Sequence, residues 1–205
     1  MIIKKIAKLC KARKRIALYV DRRGSCQWIG DGCCLYPLHG MPELDEETVF
    51  AVLDIPEDKR EGYAVSYEAW PDTINADDEA DERPLLSSPC GIVWKDTKLM
   101  PMRTSLGLWF YSPDYLDPLR DLENFEFYER ETPGGQPYLA IKTGLLLRAI
   151  ILPKLPEPEA IAEHLKVLAA ELEATISYKA YRDNEKDADA YAYEVAPLTE
   201  EEDGE

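Results

Sequence analysis

Histidine is scarce in this chain. His39 and His164 are the only two in 205 residues, so triad and histidine acid–base chemistry have little to build on. No serine sits in a Gly-x-Ser-x-Gly elbow. No strand–glycine-loop–helix unit carries a phosphate-binding fingerprint. The five cysteines, Cys10, Cys26, Cys33, Cys34 and Cys90, include no C-x-x-C pair. Their spacing, with so few histidines, excludes the usual closed zinc sites. The acid-rich run 72–82 has no glycine and therefore lacks the central turn of a calcium loop. These absences predict a protein that is not an enzyme and carries no metal or other cofactor.

Long apolar runs are also missing. The stretch 144–152 is interrupted by Arg148, far short of the ~20 residues needed to span a bilayer. Ile2 and Ile3 are followed at once by Lys4, Lys5 and Lys8, which breaks any signal-peptide core. An odd number of cysteines without secretory features predicts reduced thiols and a cytoplasmic location, away from membranes.

Charge is abundant and uneven. The net charge is −16. Residues 1–23 nevertheless hold nine basic side chains against one acid, Asp21, whereas the remainder holds 15 basic and 39 acidic residues. A polyanion would be repelled by most of such a surface and attracted to one end.

Hydrophobic spacing places a helix over 2–14, with Ile2, Ile3, Ile6, Leu9 and Cys10 as its apolar stripe. Lys4, Lys8, Lys11 and Arg15 then fall on the opposite side. A wholly basic face departs from the mixed-sign pattern of ordinary solvated surfaces. Alternation predicts strands at 15–21, 25–29 and 33–38, with Gly30-Asp31-Gly32 as turn chemistry in which glycine supplies positive φ. A helix capped by Asp45 runs to about Asp54, and a strand follows at 65–70. Beyond the acidic run come strands at 91–94, 99–103, 106–111, 125–130, 138–142 and 145–152, with a short helix at 114–122. Pro156 and Pro158 open a C-terminal helix striped by Ile161, Leu165, Leu168, Leu172 and Ile176. The implied organisation is an α+β chain with mainly antiparallel sheets. A 1–71 unit, a 72–82 linker, an 83–156 unit, a 157–180 helix and a disordered acidic tail at 181–205 make it up.

The stretch from Leu108 to Leu155 resembles the closing segment of DNA sliding clamps, the processivity factors of replication. The likeness lies in Tyr111-x-x-x-Tyr115-Leu116, Pro137-Tyr138-Leu139-Ala140-Ile141 and the ending Ala149-Ile150-Ile151-Leu152-Pro153-Lys154-Leu155. It covers about a quarter of the chain. Proteins from prophage regions of Gram-positive bacteria are also similar in general character. The clamp resemblance implies two small clamp-like αβ units and a ring of three subunits around double-stranded DNA. It implies backbone contacts from Lys4, Lys8, Lys11 and Arg15. It also implies a groove for a polymerase-type partner beside Leu152, Pro153 and Leu155. Three features depart from clamps: the short chain, the acids Asp114, Asp117 and Asp121 in the second helix, and the added C-terminal helix. The alternative expectation is a protein–protein adaptor of phage or prophage origin with no nucleic-acid contact.

Overall fold

A computed structural model describes residues 3–21, 26–77, 82–86, 90–154 and 157–194. The chain is α+β, as expected, with a large mixed sheet, a small antiparallel sheet and a long C-terminal helix. It divides into two compact bodies, Met1–Pro156 and Glu157–Glu205.

In the first body, helix α1 (Ile3–Arg13) leads into strands β1 (Arg15–Val20), β2 (Gln27–Gly30) and β3 (Cys34–Pro37). Next come helix α2 (Glu46–Val52), a 3-10 helix (Glu57–Gly62) and β4 (Ala64–Ala69). Strands β5 (Arg83–Leu85), β6 (Ile92–Trp94), β7 (Thr97–Thr104) and β8 (Gly107–Tyr111) follow. A second 3-10 helix, Pro113–Leu119, precedes β9 (Glu126–Glu131), β10 (Pro137–Thr143) and β11 (Leu146–Ile151). The eight-stranded sheet runs β4-β1-β2-β3-β11-β10-β9-β5, and β6, β7 and β8 form a separate three-stranded sheet.

Local chemistry explains several of these elements. Asp45 caps α2: its Oδ1 accepts from the Glu47 and Thr48 amides, while Thr48 Oγ1 accepts from the Asp45 amide. The short helix expected at 114–122 is a 3-10 helix over Pro113–Leu119, where Pro118 lies inside and has no amide to donate. Helix α1 stops at Arg13 because Lys14 turns left-handed, with φ of 50°.

The expected division into 1–71 and 83–156 units does not match the strand pairing. β3 pairs directly with β11, Leu35 opposite Ile150 and Cys34 opposite Ile151. Two meanders, β1-β2-β3 and β9-β10-β11, thereby merge into one sheet. Each meander is preceded by a helical segment, α1 or Pro113–Leu119, and these two segments pack against each other. The two helix–meander segments, 3–37 and 113–151, thus share a core.

Both faces of the sheet are covered. Ile16, Leu18, Ile29, Tyr36, Leu139, Ile141 and Ile151 join α1 and α2 on one side, while Ala17, Trp28, Leu35, Tyr138 and Ile150 meet Trp70 and Ile74 on the other. Each fully buried Ile or Leu contributes about 1.5–3 kcal/mol of transfer free energy. The described parts of the expected 72–82 linker, 72–77 and Glu82, are tied to the sheet. Trp70 Nε1 donates to the Ile74 carbonyl at 2.6 Å, the Asn75 amide donates to Tyr138 Oη at 3.0 Å, and Glu82 is held by Arg130 and Lys142.

The second body is helix α3, Pro158–Glu194. It continues well past the expected end at 180, into residues expected to be disordered. Alanine, glutamate and lysine in 183–194 are good helix formers, and their low apolar content does not prevent a helix. Residues 195–205 lie outside the described residues. In the described helices no segment is long and apolar enough to cross a membrane.

Candidate nucleic-acid interface

Helix α1 lies on the sheet through Ile6, Ala7 and Cys10, all buried. Lys4 and Lys8, one turn apart, are exposed on its outer side. No ion pair to either is found among the described residues. The other cations of the expected basic face are placed differently. Lys11 Nζ donates to the Asp54 carbonyl at 2.7 Å and so ties the helix to the end of α2. Arg15 is not on the helix at all. The left-handed Lys14 carries the chain out of α1, and Arg15 opens β1, its side chain lying over Gly32.

Arg13, one-third exposed, reaches across to a network that spacing alone did not reveal. Its Nε lies 2.9 Å from Oδ2 of Asp31, whose side chain is 1% exposed. Its Nη1 donates to Cys33 Sγ, and its guanidinium stands 5.9 Å from the Tyr115 ring centre. Asp31 Oδ1 accepts from the Cys33 and Cys34 amides at 2.8 and 3.0 Å, closing the β2–β3 turn. Tyr36 Oη donates to the Tyr115 carbonyl at 2.6 Å. The Asp31 carboxylate thus joins α1 to the β2–β3 turn, and Arg13 and Tyr36 extend the network to Tyr115 of the Pro113–Leu119 helix. The GDG tripeptide had signalled a turn, but nothing local signalled its partner Arg13.

Burial, with the Asp31 carboxylate nearby, pushes the Cys10 thiol up to about 12 and holds Cys34 well above the ordinary thiol value of 9.0. A thiol that is harder to ionise when folded keeps its proton in the native state longer than in the unfolded chain. Its contribution is complete below the unfolded value and is lost as pH climbs toward the folded one. The urea midpoint should therefore fall between about pH 9 and 11. Cys10→Ala should make that fall shallower, and equal slopes for the two proteins would refute the assignment to Cys10.

The neighbouring Pro113–Leu119 helix adds acid to this side. Asp114 is exposed, and Asp117 pairs with Arg120 at 2.7 Å. Of the expected partner groove, Leu152 and Pro153 are half-buried. The Leu152 amide donates to the Cys33 carbonyl, and its side chain borders a cavity of about 40 Å³, room for about one water. Leu155 lies outside the described residues. No group of three or more metal-ligating side chains occurs among the described residues.

No family model, curated protein or solved structure matches the chain.

Proposed function

We propose that the protein is a non-catalytic, clamp-like accessory factor of DNA replication or recombination that contacts the backbone of double-stranded DNA through α1. One observation carries the reading: Lys4 and Lys8 stand exposed one turn apart, without ion-pair partners among the described residues, while Lys11 and Arg13 are drawn into the fold. Free ammonium groups at that spacing neutralise phosphates without reading bases, so binding is insensitive to sequence and weakens with salt. The pairing of two helix–meander units in one sheet is in keeping with a clamp-like scaffold.

Fluorescence anisotropy with a labelled duplex at low salt tests this. Lys4→Glu combined with Lys8→Glu should abolish binding. The single variant Lys8→Ala should reduce the slope of log K against log salt by about one. Both side chains are exposed, so the urea midpoint should stay put. Undiminished duplex binding by the double variant would sink the proposal.

An adaptor without nucleic-acid contact is the second reading, favoured by a separate observation. On α3, Leu165, Leu168, Leu172 and Ile176 are 41–67% exposed along one stripe, the pattern of helix-in-groove recognition. If the unaltered protein shows no duplex binding even at low salt, this reading takes precedence.

A further inference from the structure

We infer that the cavity beside Arg148 is a binding site for a small apolar carboxylate. The cavity has a volume of about 400 Å³ and is lined by Ile3, Pro37, His39, Met41, Leu119 and Leu122 around Arg148. That volume is in the range of small-molecule sites, which combine apolar walls with a few polar groups.

The arginine is the informative residue. In the β10–β11 pair, Ile141 is opposite Ala149 and Lys142 is opposite Leu147, so Arg148 has no partner and forms a β-bulge. A bulge re-aims one side chain and offsets the register by one residue, with pairing resumed on either side. Here the flanking residues Ala149 and Ile150 remain in the core. Arg148 lines the cavity, and its Nε is buried with no hydrogen-bond partner. A buried donor left unpaired costs about 1–3 kcal/mol. A carboxylate supplies the missing acceptor in the geometry a guanidinium prefers. Among the described residues no acidic side chain lines the cavity to take that role. His39 stands at the rim, its Nδ1 3.6 Å from Cys26 Sγ, and adds a second polar group. The remaining walls are apolar, so they select a ligand with an aliphatic or aromatic body behind its acid group.

This site is independent of the DNA reading and is tested without DNA. The probes are 1-anilinonaphthalene-8-sulfonate, which has an aromatic body and one anionic group, and N-phenyl-1-naphthylamine, the same ring system without the anion. The full chain should bind both saturably at one site. Arg148→Met, which keeps an unbranched apolar stem, should weaken the sulfonate about tenfold or more and leave the neutral probe unchanged. Retained neutral-probe binding also shows that the cavity of that variant is intact. Leu122→Trp, which fills the cavity, should weaken both. Equal effects of Arg148→Met on the two probes, or unaltered binding of both by Leu122→Trp, would overturn the assignment.

Discussion

Glu82→Ala should destabilise the first body by about 3–5 kcal/mol, the range for stripping one partner from a buried ion pair. Glu82 is 3% exposed at the side chain, and its two partners, Arg130 and Lys142, are 3% and 5% exposed. Oε1 accepts from Arg130 Nε at 2.6 Å and also from its Nη2. Oε2 accepts from Lys142 Nζ at 2.5 Å. Arg130 also donates to the Asn75 carbonyl at 2.7 Å, and Lys142 lies 5.1 Å from the Tyr128 ring centre. Among the described residues, one carboxylate is shared by two cations here. Alanine would take from both buried cations the carboxylate they share. Lys142→Met in the Glu82→Ala background should recover part of the loss, because it removes one of the two buried cations that Glu82 served. A double-mutant cycle on urea midpoints measures that recovery. If Glu82→Ala alone left the midpoint unchanged, the carboxylate would have to be solvated.

The second large effect is expected at Gly30. An added Cβ would lie 1.6 Å from the Cys34 carbonyl oxygen and 3.2 Å from the Leu35 Cα, both backbone atoms. Neither atom can swing away, so Gly30→Ala must force β2 and β3 apart. Overpacking ordinarily costs about 1–3 kcal/mol, and here the rigid neighbours place the loss at about 3 kcal/mol or more. The disturbance extends to α1, since Cys10 Sγ donates to the Gly30 carbonyl. Gly32→Ala is the control. Its φ of +85° makes alanine unfavourable, but the nearest atom, 2.9 Å away, is Nε of the flexible Arg15 side chain. That variant should lose only about 1–2 kcal/mol. Thermal unfolding of the pair decides the matter. Equal losses would mean that backbone conformation, not the β2–β3 approach, sets the requirement for glycine.

The Gly30–Gly32 contrast shows what was legible in the sequence. The GDG tripeptide announces a turn, and the turn is there. Only Gly32 serves by its positive φ, however, while Gly30 serves by its small size. Apolar alternation located β1, β9, β10 and β11 to within a residue or two, and Asp45 was recognisable as a cap from its place before Glu46 and Glu47. The pairing of β3 with β11 was not legible, because hydrogen bonds between backbones leave no mark on residue identity. Glu82 was hidden in an acidic run, and its partners lie 48 and 60 residues along the chain. Lys142 appears in sequence as an ordinary outward residue of a strand and becomes internal only when Glu82 covers it. For the candidate interface, composition found α1 and its lysines. It misplaced Arg15, because a single left-handed residue at Lys14 diverts the chain and leaves no periodic trace.

The β3–β11 seam has a consequence for biosynthesis. β3 is complete at Pro37, yet the strand it must zip against begins at Leu146. At ~5–20 residues per second, a ribosome needs roughly 5–20 s to make the intervening polypeptide. Throughout that interval the newborn N-terminal meander has a bare hydrogen-bonding rim, open to any stray strand until the C-terminal meander arrives.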